Sequence, residues 1–246
     1  MIADPFVQLR LLDLQAVDTA LAQLRHRRQT LPELAAIADC ERRADEARAQ
    51  LVEAETSVSD LDAEQRRLEA DVDTVRKRAD KDQATMTAGG TSAKQVSSLQ
   101  HEVESLARRQ SVLEDELIEL MEQRETAEAA VTRLSAEAAA VAEQQRAAET
   151  ARDAALADID AAQARRDVER AELAGRLPAD LLALYDKVRG SNAGVGAAML
   201  RHRRCEGCRL ELAGSELSRV RTAKPDEVLR CDNCRCILVR TDESGL

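Results

Sequence analysis

Residues Arg204–Arg240 read RCEGCRLELAGSELSRVRTAKPDEVLRCDNCRCILVR. Two C-x-x-C pairs, Cys205/Cys208 and Cys231/Cys234, stand 22 residues apart, and a further thiol, Cys236, crowds the second pair. A C-x-x-C turn points two sulfurs at one ion, while its backbone N–H groups stabilise the thiolates. Two such turns build a closed tetrahedral four-sulfur site, which suits zinc. The stretch therefore predicts one structural Zn2+ on Cys205, Cys208, Cys231 and Cys234. A redox dithiol of the thioredoxin kind wants a βαβ setting, which the surrounding sequence does not offer. His202 and Cys236 are spare donors by position. His202 lies in an R-H-R-R run read as a solvent-facing strand, and Cys236 cannot close the same turn as Cys234. Four thiolates fill the coordination sphere and leave no position for water or substrate, as in structural sites. In so small a segment without aromatic residues, metal binding is expected to supply on the order of 10 kcal/mol of folding energy. The flanking runs read as a ribbon. Strands are expected over 194–205, 227–231 and 236–240, with a short helix over 214–223 capped by Ser215.

Upstream of this knot the pattern changes to helix. Apolar residues recur in alternating steps of three and four from Val96 and Leu99 through Val103, Leu106, Leu113, Leu117, Leu120, Val131, Leu134 and Val141 to Ile159 and Ala162. That run keeps a seven-residue period throughout, which is the mark of a coiled coil. An earlier run holds Ile37, Cys40, Ala47, Leu51, Val58, Leu61, Leu68, Val72 and Val75, and a first piece holds Leu14, Val17, Leu21, Leu24 and Leu31. The phases do not match across residues 79–96, where Gly89-Gly90 stands. Glycines supply the positive φ that a reversal needs, and Thr91 or Ser92 is placed to cap the next helix. The reading is an antiparallel hairpin rather than one continuous helix, with facing residues whose numbers sum to about 180, such as Leu61 and Leu120. Pro32 and Pro178 open further helices, as proline tends to do. The expected helices are therefore about 4–30, 32–85 and 178–189, besides the returning arm. Polar residues break the seam at Gln65, Gln110, Arg124, Gln145 and Arg152. They are read as long side chains on a solvated edge, with register control as the alternative.

The predicted fold class is thus mainly α: a long antiparallel coiled-coil helical hairpin with a small C-terminal β zinc ribbon. The domains are drawn as 1–176 for the hairpin, turning near 86–92, 177–193 for a connecting helix and linker, and 194–246 for the ribbon. Composition agrees. The 246 residues include no Trp, one Tyr and one Phe, and 33% are charged, which suits a narrow helical seam better than an aromatic-filled core. The net charge is −10. Residues 201–246 hold ten Lys/Arg and eight Asp/Glu, formally +2, so the remainder carries −12. An acidic helical portion is a poor match for DNA or an anionic membrane. No basic segment followed by an apolar run opens the chain, and no apolar stretch approaches about 20 residues, so neither export nor membrane insertion is expected. A cytoplasmic protein is expected.

Three segments together carry a resemblance: TSAKQVSSLQHEVESLARRQSVLEDELIELME after the turn, LPADLLALYDKVR before the ribbon, and the CEGC…CDNC pairs. They resemble the bacterial C4-type zinc-ribbon family, a coiled-coil hairpin joined to a C-terminal zinc ribbon and formerly a domain of unknown function. Carried over by motif, the family's zinc ligands fall on Cys205, Cys208, Cys231 and Cys234. The resemblance implies an adaptor or chaperone role, since some members serve flagellar or type III secretion systems and bind an alternative sigma factor or RNA. The sequence departs from the family's pattern in having Arg235, not glycine, after the last paired cysteine, and in having Cys236. Arg greatly outnumbers Lys, and with the A-G-G-T-S-A-K tip this resembles an actinobacterial branch, in which a secretion role fits poorly.

Two functions are weighed. The first is a non-enzymatic adaptor that engages a protein partner through the ribbon with the helix around Tyr185, and at the tip over 85–95, while the stiff arms set the spacing, with no small-molecule substrate. The second is an RNA- or DNA-binding regulator using ribbon arginines Arg201, Arg203, Arg204, Arg219 and Arg221. Interleaved acids and the lack of any aromatic residue after Tyr185 weigh against the second, because base stacking usually drives single-strand binding. His26, His101 and His202 have no nucleophile or carboxylate cluster beside them in the pattern, so no enzyme is expected.

Overall fold

A computed structural model describes every residue except Gly89 and Thr91. In chain order it contains α1 (Pro5–Gln29), α2 (Pro32–Thr87), α3 (Ala93–Gly175), α4 (Ala179–Ser191), β1 (Ala197–Arg201), β2 (Arg204–Cys205), α5 (Gly214–Thr222), β3 (Leu229–Arg230) and β4 (Ile237–Val239). A single 3-10 turn, Asp242–Ser244, follows β4. Packing divides the chain into two compact units, Met1–Leu34 with Thr150–Leu246, and Ala35–Glu149. The sequence reading grouped α1 with the arms; packing groups it with the ribbon.

The unit Ala35–Glu149 is made of α2 and α3 side by side. Ile37, Cys40, Ala47, Leu113, Leu120, Leu134 and Val141 are buried, and the seam positions between them are at least half-buried. Two cross-arm pairs show the antiparallel sense: Arg124 Nε donates to Asp62 Oδ1, and Arg43 donates to Gln144 Oε1 at 2.9 Å. Their numbers add to 186 and 187 rather than 180, so the expected pairing of Leu61 with Leu120 is displaced by about one heptad. The reason is that α2 stops at Thr87 while α3 overruns that end by roughly two turns. The expected Gly89-Gly90 reversal and Thr91 cap fall partly outside the described residues, but Gly90 has φ +87°. Ser92 is the cap. Its Oγ accepts from Gln95 N at 3.4 Å, and Gln95 Oε1 accepts from Ser92 N at 3.0 Å, so each side chain satisfies the other's free N–H.

Four of the five polar seam residues follow two rules, while Arg152 pairs with its neighbour Asp153 at 2.8 Å. Gln65, Gln110 and Gln145 each donate to a Glu four residues on, at 2.8, 2.7 and 3.0 Å. They lie along their own helix, as solvated-edge residues do. Arg124 instead reaches across to Asp62 and also bonds Glu128, so it matches the register of one arm to the other. Asp82, 5% exposed, is held by Arg78 Nε at 2.9 Å.

In the other unit the sheet order is β2-β1-β4-β3, with β1 and β4 parallel and the other neighbours antiparallel. Residues 1–3 extend it: Ala3 N donates to Asp226 O at 2.7 Å and Val228 N to Met1 O at 3.1 Å. Helix α1 starts where Asp4 accepts from Phe6 N at 2.8 Å with Pro5 at its first turn. Leu11 and Leu14 of α1 pack with Leu177, Leu181 and Tyr185 and with Ala197, Ile237 and Val239 of the sheet. Two α1 polar residues pin this contact. Gln15 Oε1 accepts from Gly196 N at 2.7 Å, and its Nε2 donates to Gly194 O at 3.0 Å. Asp18, 2% exposed, accepts from Tyr185 Oη at 2.8 Å, Arg170 Nε at 2.7 Å and Arg189 at 2.6 Å. A buried carboxylate survives only when so compensated. Tyr185 is fully buried and serves as a packing ring. Burial, chiefly, and the Asp18 hydrogen bond raise its phenol pKa far above the usual value, with Arg189 and Arg170 opposing.

Candidate metal centre

The ribbon core is assembled from both ends of the unit. Val188, Ala198, Leu200, Leu212, Val220, Leu229 and Leu238 surround Cys205, Cys231 and Cys236. Two corrections to the sequence reading concern local chemistry. Helix α5 begins after Ala213 with no side-chain cap, so Ser215 lies within its first turn and does not cap it. The expected 194–205 strand breaks at His202 and Arg203, whose φ values are +45° and +64°. Two successive positive-φ residues make the tight hairpin turn between paired strands, here joining β1 to β2. The turn is held by His202 N on Glu243 O at 2.8 Å and Arg203 N on Ser244 O at 2.9 Å. His202 is exposed on this turn and outside the sulfur cluster.

Cys205, Cys208, Cys231 and Cys234 bring their sulfurs within 4.8 Å of one another. Two knuckles do this with the same geometry, RCEGCR (204–209) and RCDNCR (230–235). In each, the N–H groups of the fourth and fifth knuckle residues donate to the first cysteine's sulfur: Gly207 and Cys208 to Cys205, Asn233 and Cys234 to Cys231. The second sulfur of each pair accepts from an N–H two residues on, Leu210 for Cys208 and Cys236 for Cys234. Each turn closes with Arg209 N on Cys205 O at 2.7 Å and Arg235 N on Cys231 O at 2.9 Å. The closing residues take φ +62° and +64°. A residue with a Cβ is strained there by about 1–2 kcal/mol; the family's glycine would avoid that cost, and Arg235 accepts it.

The donor set fits zinc on distance as well as type. A tetrahedral ion with Zn–S of about 2.3 Å has S···S edges of about 3.8 Å. The Cys205–Cys234 and Cys208–Cys231 sulfurs are each 3.8 Å apart. Cys236 stands outside this set. Its sulfur is 3.4 Å from that of Cys205 and 3.2 Å from that of Cys234, capping one edge of the tetrahedron. The Cys236 thiol lowers the Cys205 pKa to about 5 by donating to it, against burial, with backbone N–H groups assisting. The same hydrogen bond, with burial, drives Cys236 itself well above the usual thiol range. Burial chiefly raises Cys208, Cys231 and Cys234; a bound cation would reverse that tendency.

Sequence reasoning missed the supports. Glu216 of α5, 2% exposed, accepts from Asp232 N at 2.9 Å and so fixes the second knuckle. Arg219 pairs with Asp232 at 2.8 Å. Arg240 donates to the carbonyls of Ala223, Lys224 and Glu227 at 3.0, 2.6 and 3.1 Å, satisfying the chain just past α5. Of the five arginines considered for nucleic acid, three have partners within the chain. Arg201 pairs with Glu243 at 2.6 Å, Arg219 with Asp232, and Arg203 donates to Gly245 O at 3.0 Å. Arg204 and Arg221 are exposed.

Paired helical arms and a four-cysteine ribbon define a coiled-coil protein with a C4-type zinc ribbon. The comparisons agree: residues 14–193 match the CT398-like coiled coil hairpin domain and residues 204–238 the C4-type zinc ribbon domain. The chain belongs to the CT398-like coiled coil hairpin family. It is 38% identical over 235 residues to "Uncharacterized protein Rv2229c" of Mycobacterium tuberculosis, covering 96% of each chain. A solved structure from Mycobacterium smegmatis is 36% identical, with a TM-score of 0.85 over 98% of this chain and 100% of the other. CT398 from Chlamydia trachomatis shares the fold at 17% identity, with a TM-score of 0.69 over 96% and 98% of the two chains. Mycobacterial relatives bear out the actinobacterial cast of the sequence. Among the described residues, no helix is long and apolar enough to cross a membrane.

Proposed function

We propose that the chain is a non-enzymatic adaptor or chaperone-like protein of the cytoplasm, where thiols stay reduced and free to hold metal. The ribbon, braced by α1 and α4, serves as a docking head, and the arms offer helical surface to a protein partner. The observation that carries this reading is the closed sulfur site. Four thiolates at tetrahedral spacing saturate zinc and organise a surface without presenting an open coordination position for chemistry. The pairing of Arg201, Arg203 and Arg219 within the chain favours a protein partner over a nucleic acid, since phosphate binding draws on uncommitted cations.

The test is affinity capture with the full-length, zinc-loaded chain, with and without nuclease. Capture of a defined protein in stoichiometric yield, unchanged by nuclease, supports the adaptor. Material lost on nuclease treatment, or retention on immobilised RNA that falls steeply with salt, would establish the nucleic-acid reading in its place.

A further inference from the structure

The fifth cysteine of the ribbon is not one of the four paired cysteines, yet it is fully buried against them. Cys236 lies 3.2 Å from the Cys234 sulfur and 3.4 Å from that of Cys205. Both gaps are shorter than the 3.8 Å edges between ligands. The pocket around it is tight: a Cβ at Gly207 would stand 3.2 Å from the Cys236 sulfur. Among the ribbon cysteines, residues Cys205, Cys231 and Cys236 are buried, whereas Cys208 and Cys234 are only half-buried. The accessible ligand on one side of the site is therefore the one that touches the spare thiol.

We propose that Cys236 is a resolving thiol that makes the zinc site a peroxide-sensitive modification site. Hydrogen peroxide attacks at the Cys234 sulfur, whose lone pair takes one oxygen; the O–O bond breaks, hydroxide leaves, and Cys234 becomes a sulfenic acid no longer bound to metal. The Cys236 sulfur then attacks the Cys234 sulfur. The new S–S bond forms as the S–O bond breaks, and the Cys236 proton leaves with the hydroxyl group as water. One thiolate and one thiol are oxidised by two electrons in total, and peroxide is reduced to hydroxide and water. Only Cys205, Cys208 and Cys231 would then remain to hold a zinc ion, which favours its loss. Cys205 lies close enough to Cys236 to take over the disulfide by exchange, which frees Cys234 again. Reduction by a dithiol restores the site.

The sequence makes the test direct. Trypsin cuts after Arg204, Arg209, Arg230, Arg235 and Arg240, so the three relevant peptides are CEGCR, CDNCR and CILVR. Zinc-loaded full-length protein is treated with hydrogen peroxide. Zinc release is followed with a chromophoric chelator, and the digest is mapped without reduction. The expected product is CILVR joined to CDNCR or CEGCR, appearing at the rate of zinc release. In Cys236→Ala and Cys236→Ser, first shown to hold zinc, that product is lost, release slows, and Cys234 is found as sulfinic acid. Linkage of CEGCR to CDNCR alone in the wild-type chain would overturn the proposal even if neither variant folds. So would zinc release from Cys236→Ala at the wild-type rate.

Discussion

Replacing Asp18 with alanine should destabilise the ribbon-bearing unit far more than any change on the exposed helix faces. Asp18 is 2% exposed and accepts from Tyr185, Arg170 and Arg189 within 2.8 Å. Removing one member of a buried ion pair costs about 3–5 kcal/mol, because the remaining charge is left uncompensated. Here the two guanidinium side chains are 25% and 30% exposed and Arg170 keeps Asp186, which places the loss near the low end, about 3 kcal/mol. For a unit of this size that lowers the melting temperature by on the order of 10 °C. The chain has one Tyr and no Trp, so tyrosine emission reports Tyr185 alone, and with it this unit. Thermal unfolding of zinc-loaded protein followed by tyrosine fluorescence is the assay. A shift under about 2 °C would correspond to well below 1 kcal/mol and would refute the claim that the Asp18 cluster holds α1 to α4.

Further outcomes follow from the same unit. Because the folded state raises the Tyr185 pKa, its contribution is fully present below the unfolded value near 10 and is lost as pH rises beyond it. Wild type should therefore lose stability above about pH 10, while Tyr185→Phe shows a flatter profile there; parallel profiles would contradict the burial of the phenol against Asp18. Gly196→Ala places a Cβ 2.5 Å from Tyr185 Cε2 and 2.9 Å from Tyr185 O, so it should cost about 1–3 kcal/mol or more by overpacking, read by the same fluorescence melt. Stripping zinc with a strong chelator should abolish the folded tyrosine signal while most of the helical circular dichroism remains, because α2 and α3 have their own seam; collapse of both signals would mean the arms depend on the metal.

The hairpin and the ligand set were legible in the sequence because both are local, periodic codes. Every expected seam position from Val96 to Ala162 is buried or half-buried, since a seven-residue period dictates which face is shared. The clustering of the four paired cysteines was likewise readable from spacing, since their sulfurs lie within 4.8 Å of one another. What escaped was set by contacts distant in sequence. Gln15 and Asp18 looked like ordinary polar positions on a coiled-coil helix, yet they bond Gly196 and Tyr185. Nothing within a heptad encodes a partner some 170 residues away. Glu216 was hidden for the same reason, its partner being the Asp232 backbone. The register of the arms was displaced because the overrun of α3 past α2 is decided at the turn, where no apolar period exists. His202 and Arg203 were assigned to a strand because neither is a residue that usually marks a positive-φ turn.

Zinc K-edge X-ray absorption on the purified full-length protein, with metal content measured on the same sample, tests the central claim most directly. The account predicts one zinc per chain with four sulfur neighbours at about 2.3 Å and no nitrogen or oxygen in the first shell. Iron in place of zinc, or a first shell containing a nitrogen or oxygen donor, would contradict it.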